Sequence, residues 1–396
     1  MDLEKLLKEK GKFTAGSKPL FFDLNSSSDQ KKLQQLLAED IIHHVIDDYQ
    51  EQQHELFAIK NPTIVYTSDF KQRLDEYFLE LQKNLPLHKQ GKWVFFPWIS
   101  TLVHILEADE FHLVRTARNR NLITKEEQER FYNAVVGIGG LSVGNSVALA
   151  IVLMGGARYL RLADNDRLAL TNINRIRAGV DNLGLRKVDI TARQIYLLNP
   201  YAEIEVFPKG LNPDNIEKFF NGPPKLDIVV DELDNIAIKY LIREQAKKYK
   251  IAVIMGADNG DNAIIDVERH DLDPKTPFFH RALGNITHKE LTNLDKFGIG
   301  QTITKMLGAE NVEIRMQQSL MEMGKTLVSW PQLGGAALLN GIAISYCVRK
   351  IINKQSLITD RAVLSMDEKL DPLYNTPAEK EKRLISADNF KKMFKI

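Results

Sequence analysis

AVVGIGGLSVGNSVALAIVLMGGARYLRLAD, which spans Ala134–Asp164, has the pattern of a strand, a glycine turn, a helix and a second strand. The apolar residues up to Ile138 predict a short buried strand, because β-branched runs beside glycine are typical of parallel sheets. Apolar residues recur with helical spacing over Ser142–Met154. Tyr159–Ala163 is the expected second strand. The unit therefore predicts a Rossmann-like parallel sheet that binds a nucleotide.

The glycine turn predicts a phosphate site. Gly137, Gly139 and Gly140 let the backbone turn sharply and approach a phosphate closely. The helix start that follows offers free N–H groups and the positive end of its dipole. Ser142 occupies the third glycine position of G-x-G-x-x-G, so a purely structural turn stays open as an alternative. Asp164, at the end of the second strand, is predicted to bind ribose hydroxyls, the alternative being a solvated acid.

Polar and basic residues then follow in an order that an ordinary nicotinamide site does not need. They are Asp166, Asn172, Asn174, Arg175 and Lys187. The planar donors of arginine and the compact charge of lysine suit a diphosphate. The two asparagines are expected to bind phosphate or to orient the arginine. A solvated basic face is the alternative.

A later apolar run predicts a metal site. Leu226–Val230 reads LDIVV and is followed by Asp231 and Asp234. A carboxylate at the carboxyl end of a parallel strand points into the ligand crevice, and beside phosphates it is a suitable Mg²⁺ ligand. We assign the metal to Asp234. One of the two acids is expected to cap the helix predicted over Ile236–Lys248.

From about Arg118 to Asp258, the chain resembles the ThiF/MoeB family, whose fold is shared with ubiquitin-activating enzymes. The family pattern is a glycine turn, D-x-D, N-x-x-R, a lysine and a D-N pair after a later strand. Its counterparts here are Gly137–Gly140, Asp164–Asp166, Asn172–Arg175, Lys187 and Asp234–Asn235. The resemblance implies an α/β fold with a doubly wound, mostly parallel sheet, an N-terminal α+β module and a C-terminal helical and extended region.

The resemblance also implies a reaction. ATP binds with Mg²⁺, and a substrate carboxylate attacks the α-phosphate to give an acyl-adenylate and pyrophosphate. Asp164 would hold the ribose, Arg175 and Lys187 would stabilise phosphate charge, and Asp234 would carry the metal. The remaining implied nucleotide-binding residues are Gly137, Gly139, Gly140, Asp166, Asn172, Asn174 and Asn235.

Partner contacts are implied as well. Family members pair as dimers, so we expect a homodimer. An arginine before the first strand reaches the partner subunit's ATP in the family, and either Arg118 or Arg120 occupies that region. The expected substrate carboxylate is the C-terminus of a small protein or peptide.

The chain departs from many relatives in its cysteines. Cys347 is its single cysteine, on the helical pattern Ala336–Ile352, and a buried structural thiol is expected. Tetrahedral thiolate zinc sites need several cysteines, so no zinc is expected. No cysteine is in position to form an enzyme thioester, which favours direct transfer of the acyl group to an amine, a sulfur carrier or water.

Three other functions stay open. The form T-N-x-N-R resembles the family branch that dehydrates threonylcarbamoyl-adenosine on tRNA. A non-catalytic subunit of an activating heterodimer would keep the fold without the reaction. A nicotinamide or flavin dehydrogenase would use the glycine turn but not the basic residues.

Length and composition set broad limits. The chain has 396 residues and a net charge of +1, which gives no electrostatic support for tRNA or a membrane as partner. We expect an accessory module over 1–110, the nucleotide-binding domain over 111–265, and a part over 266–396 that completes the adenylation domain and ends in a helical tail. The charged stretch 1–13 lacks an apolar core, so a cytoplasmic location is expected.

The pattern of the first 110 residues predicts several elements. Lys32–Glu51 has a helical apolar stripe, and Leu56–Ile59 and Thr63–Tyr66 are predicted as short strands around a turn. Lys92–Ile99 is predicted as a core strand. The acids and histidines of His104–His112 do not match a zinc motif and are expected on a solvated helix face.

Overall fold

The computed structural model describes residues 16–83 and 85–396. The described residues up to Leu122 form one compact unit, and Ile123–Ile396 form a second. The first unit ends after Leu122 rather than at 110, because the helix Ala108–Arg115 packs on the helix Tyr49–Lys60. Residues 266–396 belong to the same unit as 123–265 because they complete its sheet and its core. The charged stretch 1–13 lies outside the described residues.

The first unit is an α+β module. Its four-stranded sheet has the order β1-β3-β4-β2, and β2 runs parallel to β4 while the other pairs are antiparallel. Its elements are β1 (Leu20–Phe22), α1 (Ser27–Ala38), β2 (His44–Asp47), α2 (Tyr49–Lys60), α3 (Phe70–Gln82), β3 (Lys92–Phe96), β4 (Thr101–Ile105) and α4 (Ala108–Arg115).

Several predictions for this unit were wrong. The helix predicted over Lys32–Glu51 ends at Ala38, and the chain then reverses and enters β2. Leu56–Ile59 lies inside α2, where Leu56 packs on Tyr49 and Leu106, and Thr63–Tyr66 forms turns. The runs Leu56–Ile59 and Thr63–Tyr66 are too short for their period to separate a helix from a strand.

His104 was also misplaced by the sequence analysis. It lies on β4, fully buried, with its ring stacked between Tyr49 and Trp93 at centroid distances of 4.0 and 4.4 Å. Its Nδ1 lies 2.8 Å from Asp47 Oδ1, and its Nε2 lies 2.7 Å from the carbonyl oxygen of Gln90. His104 is therefore a packed, hydrogen-bonded core histidine and not part of a solvated helix face.

The second unit holds the remaining elements. They are α5 (Lys125–Tyr132), β5 (Val135–Gly139), α6 (Val143–Leu153), β6 (Tyr159–Ala163), α7 (Lys187–Leu198), β7 (Glu203–Phe207), α8 (Ile216–Asn221), β8 (Ile228–Asp231), α9 (Ile236–Tyr249), β9 (Ala252–Asn259), β10 (Asn262–Glu268), α10 (His288–Thr292), α11 (Lys296–Leu307), α12 (Ile314–Met321), α13 (Gly334–Ile352), β11 (Arg361–Leu364), α14 (Met366–Leu370) and α15 (Pro377–Met393).

These strands form one doubly wound sheet, as the sequence predicts. Its order is β11-β10-β9-β8-β5-β6-β7, with β5 to β9 parallel and β10 and β11 antiparallel at one edge. Strands β6 and β7 lie on one side of β5, and β8 and β9 lie on the other, so the order of the strands reverses between β5 and β8. In such sheets, the ligand crevice lies at this switch point, outside the carboxyl ends of the strands.

Helices cover both faces of the sheet. On one face, α6 packs on α7 and α13, and α13 also packs on β9; on the other, α9 packs on α8 and β8. Every residue of β5 and β8 is buried, as two-sided cover requires. Helix α13 is long and apolar enough to cross a membrane by length and composition alone, but about half of it, 56% of its most apolar window, is buried inside this unit. Its packing is that of a core helix.

Helix α13 approaches α6 closely at one glycine. A Cβ atom added to Gly341 would lie 2.7 Å from Ser146 Cβ and 2.8 Å from its carbonyl carbon. Gly335, on the same helix, has open space around it. We therefore expect Gly341→Ala to lower the free energy of unfolding by about 1–3 kcal/mol through overpacking, measured by urea denaturation. Gly335→Ala is the matched control and should leave stability unchanged or slightly higher. Equal stability of both variants would contradict this packing.

Candidate active site

The glycine turn after β5 is shaped for close backbone approach. Gly140 has φ +85°, and a Cβ atom there would lie 2.2 Å from the carbonyl oxygen of Glu232. Ser142 begins α6 without a side-chain cap, because its Oγ accepts a hydrogen bond of 2.8 Å from Arg175 Nε instead. The first N–H groups of α6 thus have no side-chain acceptor of their own at the helix start, which is the arrangement that binds an anion.

Asp164 holds the loops around this turn. It follows β6 directly and is 6% exposed. Its Oδ2 accepts the N–H of Leu141 and its Oδ1 accepts the N–H of Asp166, each at 2.7 Å. Burial raises the pKa of Asp164, while the nearby charge of Lys187 acts in the opposite direction. The carboxylate therefore fixes the backbone of the turn, and its predicted role on a ribose stays a prediction.

Lys187 is placed at the first turn of α7. Its Nζ lies 2.8 Å from Asp166 Oδ2, and its N–H donates to the Asp166 carbonyl oxygen at 3.0 Å. The lysine is buried at 6% exposure, whereas the Asp166 side chain is 57% exposed. An exposed carboxylate thus holds a buried ammonium group beside the glycine turn. A phosphate is able to replace such a partner.

Arg175 links several of the predicted residues. Besides Ser142, its guanidinium donates to the Thr171 carbonyl oxygen at 3.2 Å and to Asn174 Oδ1 at 3.0 Å. Asn174 Nδ2 donates in turn to the carbonyl oxygen of Gln332 at 2.9 Å. Burial lowers the pKa of Arg175, and the charges of Asp258 and Asp234 partly offset that effect. Asn174 therefore orients the arginine, one of its two predicted roles.

Asn172 has a local role in the same loop. Its Oδ1 accepts the N–H of Ala169 at 3.0 Å and closes the short 3-10 helix Leu170–Asn172. The side-chain oxygen therefore shapes the loop that carries Arg175. Its predicted contact with the nucleotide stays a prediction.

The two acids at the carboxyl end of β8 differ in burial and in partners. Asp231 is fully buried and pairs with Lys239 Nζ at 3.2 Å and Arg243 Nη1 at 2.6 Å. Asp234 is exposed at the carboxyl edge. Neither caps α9, contrary to our expectation: Asn235 does, and its Oδ1 accepts the N–H groups of Ala237 and Ile238 at 3.0 and 3.1 Å. Asp231 is thus part of an internal ion pair, and the predicted metal role of Asp234 stays a prediction.

The arrangement agrees with a comparison to known protein families. The model of the ThiF family matches residues 116–326, more than half of the chain. The chain belongs to the ThiF family.

Three curated relatives show how far the similarity of this ThiF-family chain extends. An uncharacterized Mycobacterium tuberculosis protein is 33% identical over 78% of the chain and 43% of its own length. A tRNA threonylcarbamoyladenosine dehydratase of Bacillus subtilis is 33% identical over 40% of the chain and 64% of its length. A molybdopterin-synthase adenylyltransferase of Haemophilus influenzae is 26% identical over 53% and 88%. The chain thus spans less than two thirds of the first two relatives.

Two further acids lie at this edge of the ThiF-family sheet, and sequence reasoning missed them as site residues. Gly256 N donates to Glu232 Oε1 at 2.7 Å, and Asp258 is buried next to α13. Burial raises the pKa of Asp258 to about 6 and that of Glu232 well above its usual value. Asp258 lies near the end of the strand that follows Asp234 along the chain, and this position could have indicated a site residue. Its neighbours Asn259 and Gly260 instead favoured a plain turn.

The predicted partner arginines lie in the first unit. Arg118 is in the 3-10 helix Ala117–Asn119, and Arg120 follows it. The choice between Arg118 and Arg120, and the reach of either to a nucleotide, stay predictions.

The cysteine is sequestered. Cys347 lies on α13 and is 7% exposed, and burial raises the pKa of its thiol to about 11. A thiol in this state is a poor nucleophile at neutral pH, because the thiolate is the reactive form.

The raised pKa of Asp258 makes a prediction for stability. The pKa of Asp258 is higher in the folded chain than in the unfolded chain. Its contribution to the free energy of unfolding is therefore favourable at low pH and is lost as the pH rises through about 6. Between pH 5 and pH 7, the free energy of unfolding of the wild type should therefore fall by about 1 kcal/mol relative to that of Asp258→Asn. Urea unfolding at each pH measures this difference. Asp261→Asn, an exposed acid of the same hairpin, is the control and should follow the wild type. Parallel pH profiles of wild type and Asp258→Asn would contradict the raised pKa.

Proposed function

We propose that this ThiF-family chain uses ATP to adenylate a substrate carboxylate, with release of pyrophosphate and without an enzyme thioester. One observation carries the proposal: Arg175 and Lys187 lie beside the uncapped start of α6, at the switch point of the sheet. The family match and the relative named as an adenylyltransferase support ATP-dependent adenylation. That the activated group is a carboxylate is our own proposal.

The residues of the chain have separate tasks in such a reaction. The N–H groups of the glycine turn and of the first turn of α6 donate hydrogen bonds to phosphate oxygens. Arg175 is held by Ser142 and Asn174, so its donors are oriented before the nucleotide arrives. Lys187 exchanges its Asp166 partner for a phosphate and neutralises charge on the leaving pyrophosphate. Positioning and electrostatics carry the reaction, and no covalent nucleophile of the chain is needed.

The residues fit a Mg²⁺ ion on the phosphates. Mg²⁺ keeps several waters and binds proteins through one or two carboxylates together with substrate phosphates. Asp234 is an exposed carboxylate at the crevice, and its charge acts on Arg175. When bound, the ion neutralises phosphate charge and orients the nucleotide, and Asp234 would hold it there.

The later steps follow from the chemistry of the chain. Cys347 is buried with a thiol pKa of about 11, which favours transfer of the acyl group directly to an amine, a sulfur carrier or water. The proposed carboxylate is the C-terminus of a small protein or peptide. We propose a cytoplasmic homodimer in which Arg118 or Arg120 serves the partner's site.

A second function has its own support. One relative is named a tRNA threonylcarbamoyladenosine dehydratase, and Thr171–Arg175 has the T-N-x-N-R form of that branch. Such an enzyme also uses ATP and needs no catalytic cysteine. The net charge of +1 gives tRNA no global electrostatic support.

Substitution of the phosphate and metal residues tests the adenylation. We expect Arg175→Ala and Asp234→Asn each to lower substrate-dependent ATP–pyrophosphate exchange by about a hundredfold or more, because each removes charge stabilisation at the reacting phosphates. Exchange is measured with radiolabelled pyrophosphate and a panel of peptides, small proteins and tRNA.

Arg177→Ala is the matched control, since Arg177 is an exposed arginine of the same loop. It should retain wild-type exchange. Exchange that survives both active-site substitutions would defeat the assignment. Titration calorimetry with ATP and Mg²⁺ distinguishes an active enzyme from a non-catalytic subunit, because the non-catalytic subunit is expected to give no heat of nucleotide binding.

The tRNA alternative makes a distinct prediction. If the chain acts on tRNA, filter binding at low salt should detect a complex whose affinity falls steeply as salt rises, because phosphate contacts release counterions. The adenylation of a peptide or protein predicts no such complex. Absence of tRNA binding at low salt would remove the dehydratase alternative.

A further inference from the structure

A buried carboxylate beside the proposed reaction site has only neutral hydrogen-bond partners. Asp258, near the end of β9, is 7% exposed. Its Oδ1 accepts from Asn340 Nδ2 at 2.7 Å, and its Oδ2 accepts from Gln332 Nε2 at 3.0 Å. Across residues 16–83 and 85–396, the cation that acts on Asp258 is Arg175, and it does so through space. A buried carboxylate without a paired charge is costly, so its retention needs a reason.

Arg175 does not supply the missing partner. Its hydrogen bonds go to Ser142, Thr171 and Asn174, none of which is an acid. Both amides donate N–H groups, so they satisfy the two Asp258 oxygens without neutralising the carboxylate charge. Among the described residues, the charge of Asp258 therefore has no directly hydrogen-bonded cation.

Asn340, which holds Asp258, has a side-chain oxygen that is unpaired within the described part of the chain. It is fully buried on α13, and its Nδ2 donates both to Asp258 and to the Ala336 carbonyl oxygen at 3.2 Å. Because both partners are acceptors, they fix which end of the amide is nitrogen. Its Oδ1 then has no hydrogen-bond partner among the described residues. It is directed at Gly256, where an added Cβ atom would lie 2.7 Å from it.

Glu232 adjoins the same glycine. Its Oε1 accepts the N–H of Gly256 at 2.7 Å, so Gly256 lies between Glu232 and Asn340. Glu232 and Asn340 thus adjoin Gly256, and Asp258, two residues further along β9, is bonded to the same Asn340. We name these three residues the acceptor cluster.

We propose that the acceptor cluster binds the ammonium group of a substrate. An ammonium group offers several N–H donors from one compact charge, which suits two carboxylates and one unpaired amide oxygen. A divalent cation fits less well, because the described residues contain no group of three or more His, Cys, Asp or Glu that is able to hold a metal. The inference rests on the proposed function for the identity of the substrate: the ammonium belongs either to the activated acid or to the amine that accepts the acyl group.

A salt comparison tests the binding without any turnover. Methylammonium chloride is compared with tetramethylammonium chloride at equal concentration, since the second ion has the same charge but no N–H donor. We expect methylammonium to raise the midpoint of thermal unfolding by roughly 2 °C over tetramethylammonium. Asp258→Asn should abolish the difference, and the control Asp261→Asn should retain it. Equal midpoints in the two salts for the native protein, or a difference that persists in Asp258→Asn, would overturn the proposal.

Two activity measurements distinguish the sources of the ammonium group. If it belongs to the activated acid, a short peptide with a free amino terminus should support pyrophosphate exchange at least tenfold better than the same peptide with an acetylated amino terminus, and Asp258→Asn should remove that preference. If it belongs to the acceptor, the bound ammonium gives a proton to the Asp258 carboxylate, and the neutral nitrogen then forms a bond to the acyl carbon as the bond from that carbon to AMP breaks. Methylamine should then accelerate AMP release, and Asp258→Asn should remove the acceleration. A merely structural role would lower all rates alike.

The two hypotheses fail in different ways. Loss of ATP binding in calorimetry would refute the adenylation but leave the difference between the two salts. Exchange of pyrophosphate without any effect of ammonium ions would refute the acceptor cluster and leave the adenylation intact.

Discussion

The proposed site depends on the hydrogen bonds that the Asp164 carboxylate accepts from two backbone N–H groups. One oxygen holds the turn at Leu141 and the other holds Asp166, so a single buried charge joins two loops from different strand ends. Hydrogen bonds to a charged group contribute about 1.5–3 kcal/mol each, which offsets part of the burial of the carboxylate. Asp166 in turn pairs with Lys187 at the start of α7. The relative placement of the glycine turn and the lysine therefore follows from one side chain.

A second buried carboxylate, Asp231 at the end of β8, also holds the fold together. Asp231 is fully buried, and burial alone would raise its pKa, but the charges of Lys239 and Arg243 overcome burial and lower it. Arg243 also pairs with Glu268 on β10 at 2.7 Å, which ties the parallel part of the sheet to its antiparallel edge. Breaking a buried pair of this kind costs about 3–5 kcal/mol. Because Asp231 stabilises the fold, our proposal assigns the metal to the exposed Asp234.

The sequence predicted the second unit better than the first, for physical reasons. Over Ala134–Ala163 the periods of strand and helix alternate and glycines separate them, so the strands and the helix were found within a few residues. Over Lys32–Glu51 an apolar stripe continued past Ala38 into a strand, and local pattern does not separate the two there. Asp258 and Glu232 were missed as site residues because their role depends on Asn340 and on a strand end, contacts that join segments far apart in the chain.

The charges at the carboxyl edge restrict what binds there. Arg175 and Lys187 face Asp166 and Asp234, and Asp258 adds a carboxylate held only by amides. A nucleotide would bring more negative charge to an edge where these three acids already outnumber the two cations. In the proposed reaction, its phosphates would therefore bring a cation of their own to Asp234, and a second positive group would be favoured at Asp258. Because Asp234 follows β8 and Asp258 lies on the neighbouring strand β9, the two proposed positive charges would have different places, one on the phosphates and one on the substrate.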